Sequence, residues 1–222
     1  MDITPHRVYF ICGIDTDVGK TYATGLIAKH LRDRGVNAIT QKIVQTGVNG
    51  PVSDDIAMHR KIMGLPLTEH DLCGDTCPYI FHFPASPHLA ARKENREIDT
   101  DKITEATEKL LEHFEVILLE GAGGLNVPLR DDLLLSDYVA ERNYPMILVS
   151  SGKLGSINHT LLTLESAALR KMTCLGMVYN HFGSMPDLDS LEFFRKYGPV
   201  IEIPILNQCD TMSDIDFSPL FL

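Results

Sequence analysis

The run Gly13-Ile14-Asp15-Thr16-Asp17-Val18-Gly19-Lys20-Thr21 stands between an apolar stretch, Val8-Tyr9-Phe10-Ile11-Cys12, and a pattern of apolar residues at helical spacing. Strand, glycine loop and helix start in that order bring successive backbone N–H groups to one point, where they and the positive end of the helix dipole stabilise an anion. Lys20 is placed to reach the outer phosphates of a nucleotide, and the Thr21 hydroxyl suits Mg²⁺. The common phosphate-binding loop separates its glycines by four residues. Here Gly13 and Gly19 stand one residue further apart, with the Gly-Lys-Thr ending intact.

The rest of the chain supplies the context such a loop requires. Strand-like runs recur near residues 7–12, 37–44, 115–119, 145–150, 174–179 and 200–204. Helical patterns fall near 19–34, 54–63, 101–114, 135–142, 156–170 and 188–197. Alternation of this kind predicts βαβ units around a mainly parallel sheet, whose central strands read as unbroken apolar runs such as Val116-Ile117-Leu118-Leu119. The expected fold is therefore α/β: a P-loop nucleotide-binding fold, with a mainly parallel sheet and helices on both faces. No repeat or low-complexity linker divides the chain, which predicts a single domain over 1–222. The stretch from Leu65 to Pro87, rich in Pro, Cys, His and Asp, reads as a long irregular loop of the kind that often carries function.

The net charge of −10 disfavours nucleic acid or an anionic membrane as partner, because both call for clustered Lys and Arg. No apolar run approaches a membrane span and no basic segment leads into a signal-like stretch, so the expected location is the cytoplasm. Five cysteines at irregular positions do not read as a disulfide framework. His70, Cys73, Cys77 and His82 lie close in sequence, but their spacing fits no common structural zinc site.

In open parallel sheets ligands collect beyond the carboxyl ends of the strands, and several polar groups follow expected strand ends. Lys42 and Thr46 follow the second strand. Glu120 follows Val116–Leu119 and precedes Gly121-Ala122-Gly123-Gly124. An acid there is placed to hold Mg²⁺ or its water, and glycines let backbone pass close to a ligand. Thr21, Asp54 and Glu120 together offer hard oxygen donors. At the start of the helix after Ser151-Gly152-Lys153-Leu154, the N–H groups of Gly155, Ser156, Ile157 and Asn158 form a seat for an anion such as a carboxylate. Asn180 either reads a base edge or caps a turn.

These blocks resemble the dethiobiotin synthetases, ATP-dependent enzymes of biotin biosynthesis. The resemblance rests on G-x-D-T-x-V-G-K-T at 13–21, K-x-V-x-T-G at 42–47, S-D at 53–54, S-P-H at 86–88, E-G-A-G-G at 120–124 and K-L-G-x-I-N-H at 153–159. It covers the chain to about Asn180 and fades beyond, apart from Glu202-Ile203-Pro204. It implies carboxylation of 7,8-diaminopelargonate with CO₂ and closure of the cyclic urea, through a carbamate and a carbamic-phosphoric mixed anhydride, with ATP giving ADP and phosphate. It implies ATP against Gly13, Asp15, Thr16, Asp17, Val18, Gly19, Lys20, Thr21, Glu120, Gly121, Gly123, Gly124, Asn180 and Pro204. Mg²⁺ would be held by Thr21, Asp54 and Glu120. Lys20, Lys42 and Thr16 would act at the transferred phosphoryl group, with Lys42 and Thr46 at the carbamate. The family works as a homodimer in which the partner's Gly155 to Asn158 would hold the substrate carboxylate. The family often has Pro after the lysine of the 42–47 block, where this chain has Ile43. Two other readings predict different behaviour: a cobyrinate-type synthetase needs a glutamine-hydrolysing domain, and a partitioning-type nucleotide switch usually carries an additional lysine early in its loop.

Overall fold

A computed structural model describes residues 6–181, 188–204 and 215–221. In chain order the elements are β1 (Val8–Gly13), α1 (Lys20–Asp33), β2 (Ala38–Lys42), β3 (Gln45–Thr46), α2 (Asp54–Met63), α3 (Glu69–Cys73), β4 (Ile80–Phe81), α4 (Pro87–Lys93), α5 (Thr100–His113), β5 (Val116–Gly124), β6 (Pro128–Arg130), β7 (Leu133–Leu134), α6 (Leu135–Glu141), β8 (Met146–Ser151), α7 (Ser156–Leu169), β9 (Cys174–Asn180), α8 (Leu188–Phe194) and β10 (Val200–Ile203).

The six strand-like runs form one sheet in the order β10-β9-β8-β1-β5-β2, parallel throughout. Tyr9, Phe10 and Ile11 of β1, Ile117 to Leu119 of β5 and Ile147 to Val149 of β8 are wholly buried, as expected of strands covered on both faces. From β1 the chain moves to β2 on one side, and later to β8, β9 and β10 on the other. That reversal opens a crevice beyond the carboxyl end of β1, where ligands of open α/β sheets bind.

Helix α5 shows why the covering layer forms. Asp99 caps it by accepting from the Asp101 N–H, and Ile103, Ala106, Thr107 and Leu110 line one buried stripe. Helix α7 differs, since Ile157, Leu162 and Leu169, with the preceding Leu154, are exposed.

Three stretches depart from the expected pattern. The segment 65–87 is not continuous loop. Thr68 and Asp71 form a capping box that starts α3, Gly74 ends it in the left-handed conformation, and β4 pairs with β3 to hold Thr46. Strand β5 runs on through the glycines instead of stopping at Leu119, pairing Gly124 with Gly13. A Cβ at Gly121 would stand 3.0 Å from the Phe10 ring, so this glycine admits a core side chain. Helix α8 ends at Phe194 and tightens into a 3₁₀ turn over Arg195–Tyr197.

Among the described residues no helix is long and apolar enough to cross a membrane. Cys12 and Cys77 are buried thiols, both pushed up to about 12 by desolvation. His70 faces Asp75 and His82 faces the Val48 carbonyl.

Candidate active site

The loop from β1 to α1 closes tightly over its own lysine. A Cβ at Gly13 would lie 2.8 Å from Lys20 Nζ and 2.9 Å from the Asp15 carbonyl, and Lys20 Nζ donates to that carbonyl at 2.8 Å. Burial lowers the Lys20 pKa, and the Lys42 charge lowers it further. Asp17 and Gly19 adopt positive φ, the kind of turn conformation from which anion-binding backbone concavities are built. Asn180, at the end of β9, donates through Nδ2 to the Val18 carbonyl at 3.0 Å. It lies so close that a Cβ on Gly19 would stand 1.8 Å from Nδ2.

Strand register brings the opposing charges together, because Lys42 of β2 and Ile11 of β1 both pair with Glu120 of β5. Lys42 Nζ donates to Glu120 Oε1 at 2.7 Å and to the Gly121 carbonyl at 3.0 Å, and it pairs with Asp55 Oδ2 at 2.6 Å. Burial would lower the Lys42 pKa, but the two carboxylates outweigh it and raise it. Burial would likewise raise the pKa of Glu120, yet Lys42 and the His59 hydrogen bond hold it well below the usual carboxylate range. Thr21 Oγ1 donates to Asp55 Oδ1 at 2.9 Å and lies 3.4 Å from Glu120 Oε1. Asp54 opens α2 beside Asp55.

These groups border a cavity of about 880 Å³. The loop residues Thr16, Asp17, Gly19, Lys20 and Thr21 form one wall, and Lys42, Asp54, Asp55 and Glu120 line another part. Thr46 lines it too, as do the apolar Val44, Pro84, Pro87 and Val127. Gly123 also lines it, with a Cβ position 3.6 Å from Thr16 Oγ1. Asp15 caps its own neighbour through the Thr16 N–H. Gly121 and Gly124 continue the strand beside it, Val18 is buried, and Pro204 is exposed one residue beyond the β10 position that pairs with Asn180.

Gly155 to Asn158 lie outside this cavity. Gly155 caps α7 in the left-handed conformation, with no side chain accepting from the first turn. Ser156 is buried against Ser151 at 3.2 Å, while Gly155, Ile157 and Asn158 are exposed. Lys153 ties their loop to the nucleotide loop by donating to the Asp17 carbonyl at 3.1 Å.

Among the described residues no three His, Cys, Asp or Glu side chains form an all-protein metal cage. The donor set nonetheless fits Mg²⁺, which keeps several waters and takes one or two carboxylates together with substrate phosphate oxygens. Asp55, His59, Arg60 and Asp71 join the site or its support without having been singled out by the motifs. The available signal was the α2 stripe Ile56, His59, Arg60, Met63, in which two polar residues occupy buried helical positions.

A parallel sheet carrying a glycine loop, a buried loop lysine and a buried acid within the neighbouring strand defines a P-loop nucleotide-binding protein, and residues 7–214 match the AAA domain family. The chain belongs, within that class, to the ATP-dependent dethiobiotin synthetase family. It is 52% identical over 185 residues to the ATP-dependent dethiobiotin synthetase BioD 2 of Haemophilus influenzae, covering 83% of this chain and 95% of that one. Over 176 residues it is 54% identical to the ATP-dependent dethiobiotin synthetase BioD of Chlorobaculum tepidum, covering 79% and 73%. Among solved structures, a ParA family ATPase from Chlorobium tepidum is similar in fold, with a TM-score of 0.56 at 12% identity over 96% of this chain and 89% of that one.

Proposed function

We propose that the protein is a dethiobiotin synthetase: it carboxylates 7,8-diaminopelargonate with CO₂ and closes the cyclic urea at the expense of ATP. The observation that carries this reading is the meeting of two buried lysines, Lys20 and Lys42, with Glu120 and Thr21 at one cavity. A nucleotide loop alone needs Lys20. A second ammonium at the end of β2 suits a reaction that places a carbamate opposite the outer phosphate.

In this reading the loop amides and Lys20 bind the phosphates of ATP, with Thr16 at the transferred group. Lys42 stabilises the carbamate and the negative charge that develops as its oxygen takes the phosphoryl group. Thr46 donates a hydrogen bond to the same carbamate, and the apolar lining residues cover the aliphatic chain. The second amine then attacks the mixed anhydride, forming the ring C–N bond as phosphate leaves. Thr21, Asp54 and Glu120 would hold Mg²⁺, which when bound neutralises charge on the phosphate oxygens. Asn180 and Pro204 flank the side on which the base would lie.

The substrate carboxylate is assigned to the helix start Gly155 to Asn158 of a second copy of this chain, where the Ser156 N–H donates to the Lys153 carbonyl and no side chain accepts from the first turn. The exposed Leu154 and Ile157 at that helix start, with Leu162 and Leu169 further along α7, support a homodimer contact on this helix. The test is incorporation of labelled bicarbonate into dethiobiotin in the presence of diaminopelargonate, Mg²⁺ and ATP. Nucleotide hydrolysis without labelled product would overturn the assignment.

A further inference from the structure

Glu120 presents one oxygen to the cavity while the other is tied from behind. Oε1 accepts from Lys42 and faces Thr21, whereas Oε2 lies 2.8 Å from His59 Nε2. On the far side of the imidazole, Nδ1 lies 3.0 Å from Thr40 Oγ1. That hydroxyl oxygen accepts from Arg60 Nη1 at 2.8 Å. Arg60 is gripped in turn by Asp71, through Nε at 3.0 Å and Nη2 at 2.7 Å, and Asp71 also accepts from the Thr68 N–H and the Thr76 hydroxyl. Thr40, His59, Arg60, Asp71 and Glu120 are all at most 3% exposed.

The direction of each bond follows from what its partners can do. A carboxylate only accepts, so the nitrogen facing Glu120 carries hydrogen. Thr40 Oγ1 accepts from Arg60, and among the described residues its own hydrogen has no acceptor other than the imidazole, so the nitrogen facing it accepts. One neutral tautomer, protonated at Nε2, satisfies every member from Arg60 through Thr40 and His59 to Glu120. A histidine that merely filled a gap in the core would need no such one-way order.

We propose that His59 is a positioning residue for Glu120: held as the Nε2–H tautomer by Thr40 and Arg60, it fixes Oε2 so that Oε1 is presented to Thr21, Lys42 and the cation of the nucleotide complex. This deepens the assignment of Glu120 to Mg²⁺ and rests on it. Groups that orient a metal ligand from behind typically cost about 10–100-fold in metal affinity or activity when removed. His59→Leu removes both hydrogen bonds, whereas His59→Gln offers an amide N–H to Glu120 and a carbonyl to Thr40.

The intact protein is titrated with Mn²⁺ in the presence of a non-hydrolysable ATP analogue, and free Mn²⁺ is read by electron paramagnetic resonance. His59→Leu should weaken Mn²⁺ binding by about tenfold or more, and His59→Gln should recover most of the loss. Glu120→Gln is the control. If it leaves Mn²⁺ affinity unchanged, the metal assignment fails and the proposal falls with it; if it weakens binding while His59→Leu does not, the relay is overturned and the metal assignment stands. Should His59→Leu fail to fold, the nitrogen spectrum of the wild-type imidazole decides, with His59→Gln giving the assignment. A proton on Nε2 upholds the relay, and a proton on Nδ1 alone overturns it.

Discussion

Gly19→Ala tests how firmly the strand behind the nucleotide loop holds it. The first cost is conformational. Gly19 has φ of 92°, and an L-residue in the left-handed region costs about 1–2 kcal/mol. The second is steric: the new Cβ would stand 1.8 Å from Asn180 Nδ2, so the amide must swing away from the Val18 carbonyl. Leaving buried polar groups unpaired costs about 1–3 kcal/mol. The combined loss of about 2–5 kcal/mol is a large share of a folding stability of about 5–15 kcal/mol. At about 2–4 °C per kcal/mol for a chain of this size, the melting temperature should fall by about 4–20 °C. Asn180 has further interactions, so the decisive measurement is a double-mutant cycle by denaturant unfolding without nucleotide. In an Asn180→Ala background the clash is gone, and Gly19→Ala should cost only the backbone share of about 1–2 kcal/mol. An equal cost in both backgrounds would refute the contact as the reason for glycine at this position.

Asp54→Asn should raise the Mg²⁺ concentration for half-maximal rate by about tenfold or more, the equivalent of about 1.4 kcal/mol of lost attraction; a titration curve matching wild type would remove Asp54 from the cation. Ser156→Glu should repel the substrate carboxylate and Lys20→Ala should abolish phosphoryl transfer, so mixed dimers of these two inactive parents should regain activity through one intact site. No recovery in verified mixed dimers would place the carboxylate seat elsewhere. Asp71→Asn leaves the Arg60 charge buried without its partner and should destabilise the fold at neutral pH by about 3–5 kcal/mol. Burial alone would raise the Asp71 pKa, but Arg60 outweighs it and lowers the value below the ordinary 3.8. The wild-type stabilisation is thus complete above about pH 4 and fades as pH falls through the lower folded value. The penalty of Asp71→Asn should shrink over that acidic range in urea melts, and a constant penalty would contradict the linkage.

The main sheet was legible because most of its strands are short apolar runs set off from their neighbours, and the site because its loop follows β1, Lys42 closes β2 and Glu120 comes directly after the apolar part of β5. What escaped depends on pairing across distance. Periodicity does not foretell that β5 continues through four residues of Gly-Ala-Gly-Gly, since that continuation depends on Gly13 lying alongside. Helix α3 is short, and its start is fixed by Thr68 and Asp71, whose side chains read equally well as loop polarity. His59 and Arg60 fall on the buried stripe of α2, but the sequence does not say that Thr40, Asp71 and Glu120 meet them there. Asp55 is indistinguishable from Asp54 in sequence, and only helix geometry directs it to Thr21 and Lys42.

The register that sets Lys42 opposite Glu120 also has a kinetic meaning. These residues are 78 positions apart, and Thr21 and Glu120 are 99 apart, so no local segment contains the charge cluster. Strand β5 must insert between β1 and β2 before Lys42 meets Glu120. Closing such long loops is slow compared with forming the helices. During refolding, helical signal should therefore return well before catalytic competence, and the enzyme will gain its activity in the same step that completes the sheet.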